Sequence, residues 1–320
     1  MSASFEYLER CAAETGFQVA ALEKVVRLGG LAADISRHPL LSEALALKGG
    51  TALNLGFGPP HRLSVDLDFN YIAHVGRETM LADRPLVEEA VVLLAQRQGF
   101  RVQKSRDAFA GRKLHLWHRS VLGQEDRVEV DLNYLFRAPL DDPAPLELWQ
   151  PGDLDRPSVR AVGIDEILIG KVLALLDRSS PRDAWDIAML APAAGAALST
   201  PRLKRRFVAL AATLDQPLAT FGRARLETAL TDQAVAAQLI PMLAAGSRPS
   251  AATLVEEAWT AIAPLLQFDA DETAYLAAIE TGDLRPELLF PDDPALAARL
   301  AEHPALRWRV ANVRRHLDKG

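Results

Sequence analysis

Several things are scarce in this chain, and each absence narrows what it can do. A single cysteine, Cys11, allows neither an internal disulfide nor a cysteine-rich zinc site. That usage fits a reducing compartment and a cytoplasmic location. No stretch reaches the roughly 18 apolar residues that a membrane span needs, so no membrane partner is expected. The Ala-rich run at 188–198 is short and broken by Pro192 and Gly195. The opening MSASFEYLERCAAETG lacks the basic start and apolar run of a signal peptide. Positive charge is not in excess. The net charge of -6 argues against a generally basic nucleic-acid binder and leaves a local basic cleft open. Internal repeats and long low-complexity segments are absent, as are the H-E-x-x-H, G-x-S-x-G and P-loop patterns.

What is present suits a soluble globular protein of about two domains. The chain has 320 residues, 49% of them apolar and 24% charged, enough for a large core. Residues 3–28 read as helical, with Phe17, Ala20, Ala21, Lys24, Val25 and Leu28 at helical spacing. Gly29-Gly30 is expected to interrupt this run before a further helical stretch at 31–36. A strong amphipathic helix spans 86–98 and closes at Gly99. Residues 100–103, 113–118 and 126–136 read as strands, the last two by alternation. The proline-rich segment 138–162 reads as a linker or wrapping loop. From Ile164 onward the chain reads as almost entirely helical. Two domains are therefore expected, residues 1–160 and 161–320, with a domain change near residue 160.

The organising stretch is 45–71, LALKGGTALNLGFGPPHRLSVDLDFNY. Gly49-Gly50 is a turn whose backbone N–H groups a ligand can approach without an intervening side chain. The short helix that follows at 51–55 would aim its N-terminal N–H groups at that turn, a common way to hold phosphate. After Pro59-Pro60 comes a strand read over 64–71. Alternation puts Ser64, Asp66, Asp68 and Asn70 on one face and Val65, Leu67, Phe69 and Tyr71 on the other. Two neighbouring carboxylates repel unless a cation or proton sits between them. Oxygen ligands of this kind suit Mg²⁺. A solvated polar face is the plainer account of an isolated D-x-D.

Later blocks change that balance. Lys48-Gly49-Gly50-Thr51, then Arg62-Leu63-Ser64-Val65-Asp66-Leu67-Asp68-Phe69, resembles the AbiEii (MenT-like) family of nucleotidyltransferase toxins. That family lies within the DNA polymerase β-type nucleotidyltransferase superfamily. The superfamily pattern is a glycine turn, a D-x-D strand, and a third carboxylate on a later strand. Asp131, in Val128-Glu129-Val130-Asp131-Leu132-Asn133, is the candidate for the third. Lys171 followed by Arg182-Asp183-Ala184-Trp185-Asp186 matches the family's Lys…R-D-x-x-D pattern. The four blocks occur in the expected order over most of residues 45–190. The spacing from the glycine turn to Asp66 is slightly longer than the commonest in the superfamily, as is frequent in this family. The resemblance implies an α/β (α+β) fold: a nucleotidyltransferase-type mixed sheet flanked by helices, with a mostly helical C-terminal lobe whose first helices complete the active site. The nucleotide is then expected in the cleft between the lobes.

The resemblance also implies roles. Asp66, Asp68 and Asp131 would hold Mg²⁺ (or Mn²⁺), with Glu129 as fallback for Asp131. Gly49, Gly50 and Thr51 would cradle the triphosphate of an NTP. Lys48 can reach phosphate or stay solvated. Arg62 can contact the triphosphate or pair with an aspartate. Lys171 sits within the apolar stripe Ile164, Ile167, Leu168, Val172 and Leu175, where a lysine is costly to bury without a partner. A triphosphate would be one partner, and snorkelling to the surface is the alternative. Ser180 as N-cap and Pro181 at N1 would give Asp183 an ordinary first-turn role. Asp186 has no such role and is the stronger functional candidate, although Arg182 lies at salt-bridge spacing from it. The basic clusters at Arg202, Lys204, Arg205 and Arg206, and at Arg307, Arg309, Arg314, Arg315 and Lys319, are solvated helix faces or RNA phosphate contacts.

The resemblance thus implies an Mg²⁺-dependent enzyme moving an NMP from an NTP to an acceptor, in related toxins the 3′ end of tRNA, which blocks translation. It implies a cognate antitoxin, often a winged-helix DNA-binding protein encoded alongside. A small-molecule or protein hydroxyl is the rival acceptor. A catalytically inactive binding module is the rival of another class. Phosphorylation of Ser64, for example by an antitoxin kinase, would place roughly -1.5 to -2 charge beside the carboxylates and inhibit the enzyme.

Overall fold

A computed structural model describes residues 3–106, 108–198 and 200–318, with 190–197 described by backbone alone. Met1, Ser2, Lys319 and Gly320, used in the readings above, lie outside these. The fold is mixed α/β. The chain divides into one unit of residues 1–163 with 240–247, and a second of 164–239 with 248–320. Among the described residues no helix is long and apolar enough to cross a membrane.

The first unit opens with helices α1 (Phe5–Thr15), α2 (Val19–Arg37) and α3 (Pro39–Ala44). Then follow β1 (Leu45–Lys48), α4 (Gly49–Gly56), β2 (Asp66–Tyr71) and α5 (Arg77–Arg97). Strands β3 (Arg101–Lys104), β4 (Gly111–Arg119), β5 (Glu125–Asn133), β6 (Ala144–Glu147) and β7 (Ser158–Ala161) complete it. The seven strands form one mixed sheet in the order β3-β4-β5-β2-β1-β7-β6. β2 pairs parallel with β5 and β1 parallel with β7; the other neighbours are antiparallel.

Alternation explains why this sheet has one dry face. Leu67, Phe69 and Tyr71 of β2, Leu114 and Leu116 of β4, and Val128, Val130 and Leu132 of β5 are all essentially inaccessible. Burial of each such side chain contributes roughly 1.5–3 kcal/mol. Helices α2 and α5 lie over strands of this sheet. The opposite face carries polar residues of the same strands, Asp66, Asp68, Lys113, His115, Glu129 and Asp131 among them half-buried and Asn70 buried.

Four local expectations are corrected. Gly29-Gly30 does not interrupt α2, which runs through both glycines. A Cβ at Gly29 would sit 2.4 Å from Gln150 Nε2, so the glycine admits a side chain that crosses the helix. The break falls at Gly16 instead, whose φ of 76° ends α1, and α2 begins at Val19. α5 starts well before residue 86 and contains Pro85. The proline-rich segment is not a plain linker: β6 and β7 within it extend the sheet. Pro145 is tolerated because β6 is the edge strand, where a missing N–H costs no inner ladder bond.

The second unit is helical among its described residues. α6 (Ile164–Arg178), α7 (Pro181–Leu198), α8 (Pro201–Ala211), α9 (Arg223–Ala229) and α10 (Asp232–Gln238) come first. α11 (Ala251–Ile262), α12 (Ala270–Glu280), α13 (Pro294–Ala301) and α14 (Pro304–Leu317) follow. α7 continues through Pro192 rather than stopping near residue 191. The single helix read over 294–316 is two helices, parted at His303-Pro304.

Candidate active site

Strand register assembles the polar face of the first unit. Lys48 of β1 stands opposite Asp68 of β2, Asp68 opposite Asp131 of β5, and Asp131 opposite Lys113 of β4. The result is a row across four strands in which two carboxylates are flanked by two lysines. In the next row Asp66 is opposite Glu129, and Glu129 opposite His115. Adjacent strands lie roughly 4.8 Å apart. At that spacing two carboxylates near a surface repel by on the order of 1–3 kcal/mol. Burial pushes the Asp131 carboxyl above its ordinary value and the charge of Asp68 adds to this, while Lys113 and Lys48 oppose it.

Glu129 is differently placed. Its carboxylate accepts from Lys113 Nζ at 2.9 Å, lies 3.0 Å from Arg127 Nη2, and lies 3.0 Å from His115 Nδ1. Burial alone would raise it, but these neighbours hold it below the usual carboxylate range. Asp131 is only loosely approached by Lys113, at 3.9 Å. Of Glu129 and Asp131, Asp131 is thus the one available to a new cation. Lys113, Arg127 and His115 were not singled out from sequence. Their alternation was visible, but the register that brings them to Glu129 was not.

The glycine turn fits against this row. Gly49 begins α4 directly after β1, with φ of 72°. A Cβ there would stand 2.4 Å from Asp68 Oδ2, so a glycine is required on two counts. Gly50 is buried in the first turn. The buried hydroxyl of Thr51 donates to the Asp66 carbonyl oxygen. Thr51 therefore ties α4 to β2. Arg62 is buried and donates from Nη1 to the Leu63 carbonyl at 2.9 Å. Ser64 is also buried and precedes β2, which starts at Asp66 rather than at residue 64. The strand alternation that would aim Ser64 along the face of Asp66 does not extend to it.

The donor set suits a hard divalent cation: carboxylates in adjacent register, with a like-charge pair that a cation would relieve. Among the described residues no group of three or more His, Cys, Asp or Glu is drawn together to hold a metal ion. Mg²⁺ does not require such a cage, since it usually takes one or two carboxylates plus water and substrate phosphates.

Within the second unit, Lys171 of α6 is buried and has found protein partners. Its Nζ lies 2.8 Å from Asp186 Oδ2 and 3.2 Å from Asp183 Oδ1, both on α7. Arg178 grips Asp183 with two bonds, Nε to Oδ2 at 2.7 Å and Nη2 to Oδ1 at 3.0 Å. Burial alone would raise the Asp183 carboxyl, but Lys171 and Arg178 hold it below its ordinary value. Asp183 sits in the first turn of α7, yet its side chain is fully buried against these cations. Arg178 was missed because its partner lies across the α6–α7 turn.

The basic cluster on α8 is largely consumed within the unit. Arg206 is buried, 3.0 Å from Asp165; Lys204 lies 2.8 Å from Glu272, Arg205 3.6 Å from Asp271 and Arg202 3.9 Å from Asp165. On α14, Arg307 pairs with Glu302, Arg314 donates to the Gly282 carbonyl at 2.6 Å, and Arg315 bonds Asn312.

Known proteins share the fold of this chain and match much of its sequence. Among solved structures, the MenT4 nucleotidyltransferase toxin of Mycobacterium tuberculosis shares the fold, with a TM-score of 0.63. The alignment covers 93% of this chain and 98% of that one at 21% identity. Curated protein sequences give no match. The profile described as "Nucleotidyl transferase AbiEii toxin, Type IV TA system" matches residues 31–275, a span that takes in the carboxylate strands and the Lys171 helix alike. The chain therefore belongs to the AbiEii family of nucleotidyltransferase toxins of type IV toxin–antitoxin systems.

Proposed function

We propose that this enzyme transfers an NMP from an NTP to the 3′ hydroxyl of tRNA, with Mg²⁺ or Mn²⁺ held by Asp66, Asp68 and Asp131. The observation that carries the reading is the row Lys48–Asp68–Asp131, with Gly49 packed against Asp68. In the reaction the acceptor hydroxyl oxygen bonds to the α-phosphorus and gives up its proton to Asp131 or to water, the bond from that phosphorus to the bridging oxygen breaks, and pyrophosphate leaves. A divalent cation supplies charge stabilisation for the attacking and leaving oxygens. The chain's own residues supply position. The N–H groups at the start of α4 face the phosphates, as helix N-termini do. Lys48 adds a positive charge on the β1 side of the row. Asp131, on the β5 side, orients the attacking hydroxyl.

Lys171, Asp183 and Asp186 serve this reading by holding α6 to α7. Removal of Lys171 takes a shared cation from two buried carboxylates at once. Transfer to tRNA blocks translation, and a cognate antitoxin acts as the opposing partner.

The test is incubation with each labelled NTP and total tRNA, alongside candidate small hydroxyl compounds and protein. Label on tRNA that disappears in Asp68→Asn supports the proposal. Label found only on a small molecule or on protein overturns the tRNA assignment and leaves nucleotidyl transfer standing.

A further inference from the structure

The polar face of β3, β4 and β5 continues beyond the carboxylates. Two residues past the His115–Glu129 pair lies a third row: Arg101 of β3 opposite Trp117 of β4, and Trp117 opposite Arg127 of β5. Alternation places Arg101, Trp117 and Arg127 on the same face as Lys113 and Asp131. Both guanidinium carbons lie 5.3 Å from the centroid of the Trp117 ring, so the indole is bracketed by two cations. The side chains of Arg101 and Arg127 are 63% and 44% exposed.

We infer that the Arg101–Trp117–Arg127 row is a docking platform for the single-stranded 3′ end of the acceptor RNA, upstream of the reacting nucleotide. The inference rests on the RNA reading proposed above. Three observations favour this occupant. The first is charge. Arg101 is paired to Glu125 at 2.6 Å, but both side chains are more than half exposed. Exposed pairs are worth about 0–1 kcal/mol, so a phosphate exchanges for the carboxylate at little cost. The negative charge of Glu129 on the same face is met by Lys113, His115 and Arg127. The second is chemistry. Guanidinium planes backed by an indole are surfaces on which unpaired bases stack, and phosphates track beside them. The third is continuity. From Asp131 to Arg127 is four strand residues, roughly 13 Å. Stacked nucleotides rise roughly 3.4 Å each. The row therefore lies about four nucleotides back from a terminal hydroxyl at Asp131. The glycine turn and Lys48 occupy the β1 side of the carboxylates, which leaves the β5 side to the acceptor.

The experiment uses the full chain and a 12-nucleotide RNA with a free 3′ hydroxyl. Affinity is read by fluorescence anisotropy across a salt series, with NTP affinity measured in parallel. Trp117→Ala is expected to weaken RNA binding roughly ten-fold. Arg101→Gln and Arg127→Gln are each expected to flatten the slope of log affinity against log salt by about 0.7. NTP affinity stays unchanged in all three. Should Trp117→Ala fail to fold, the two arginine variants carry the test, together with a cross-link in the wild type. An RNA with 4-thiouridine at the fourth position from the 3′ end is expected to cross-link to residues 113–127. Unchanged RNA affinity and salt slope in the variants, or a cross-link mapping elsewhere, overturns the platform while wild-type labelling of RNA keeps the RNA reading. A wild type that labels no RNA overturns that reading and the platform with it.

Discussion

Gly49 and Asp68 are fitted to one another: a Cβ on Gly49 would stand 2.4 Å from Asp68 Oδ2, and the φ of Gly49 is 72°. The turn that opens α4 and the carboxylate on β2 therefore cannot vary independently. Gly49→Ala is expected to cost about 1–2 kcal/mol for the left-handed backbone alone, with more from the clash. It should also displace the Asp68 carboxylate. Urea unfolding and NTP transfer, measured on the same preparation, are expected to show both a lower midpoint and a large loss of turnover.

Asp131 and Glu129 of β5 are expected to separate cleanly. Asp131→Asn should lower transfer on the order of 100-fold or more, as loss of preorganised charge at a reacting centre does. Glu129→Gln removes a carboxylate already paired with Lys113, Arg127 and His115. Its effect should stay within about five-fold, because its charge is met by neighbouring side chains, two of them partly exposed cations, and not by the reacting centre. Steady-state turnover of the two variants against wild type checks this. A reversed order would make Glu129 the ligand.

Lys171 is the buried centre of two ion pairs. Lys171→Met leaves Asp183 and Asp186 buried without it, which is expected to cost about 3–5 kcal/mol. The double variant Lys171→Met with Asp186→Leu should recover part of that loss, because a buried charge is removed with its partner. Thermal and urea denaturation of the single and double variants are the measurements.

The lowered Asp183 carboxyl makes a prediction about acid. A carboxyl whose folded value is depressed contributes stability that is fully present above its unfolded value, roughly 3.9. That contribution is lost as pH falls through the lower folded value. Unfolding free energy measured at stepwise lower pH should therefore fall below about pH 4. Asp183→Asn should begin less stable at neutral pH and show a shallower acid decline.

The sequence made much of this legible, for identifiable reasons. Alternation in β2, β4 and β5 survives in the folded chain because each strand packs one face, so Asp66, Asp68 and Asp131 could be placed on polar faces before any register was known. Register itself was hidden. Nothing in the spacing shows that Asp68 lies opposite Asp131, or that Lys113, Arg127 and His115 converge on Glu129. β6 and β7 escaped notice because four-residue strands amid prolines look like loop, and Pro145 is harmless only at an edge. Gly29 looked like a break because the Gln150 side chain that occupies the space above it comes from far along the chain. Lys171 was recognised as needing a partner, and a ligand was the expected one. The structure supplies two aspartates, which helical periodicity placed on the next helix without showing which way they point.

Metal-dependent nucleotidyl transfer on the Asp66–Asp68–Asp131 face is the proposal on which the other expectations rest. Its most direct test is label incorporation from each of the four NTPs into total RNA, with Mg²⁺ or with chelator, for wild type and Asp66→Ala. Incorporation is expected for the wild type with Mg²⁺ alone, and none with chelator or in Asp66→Ala. Undiminished incorporation by Asp66→Ala, with its fold intact, would contradict it.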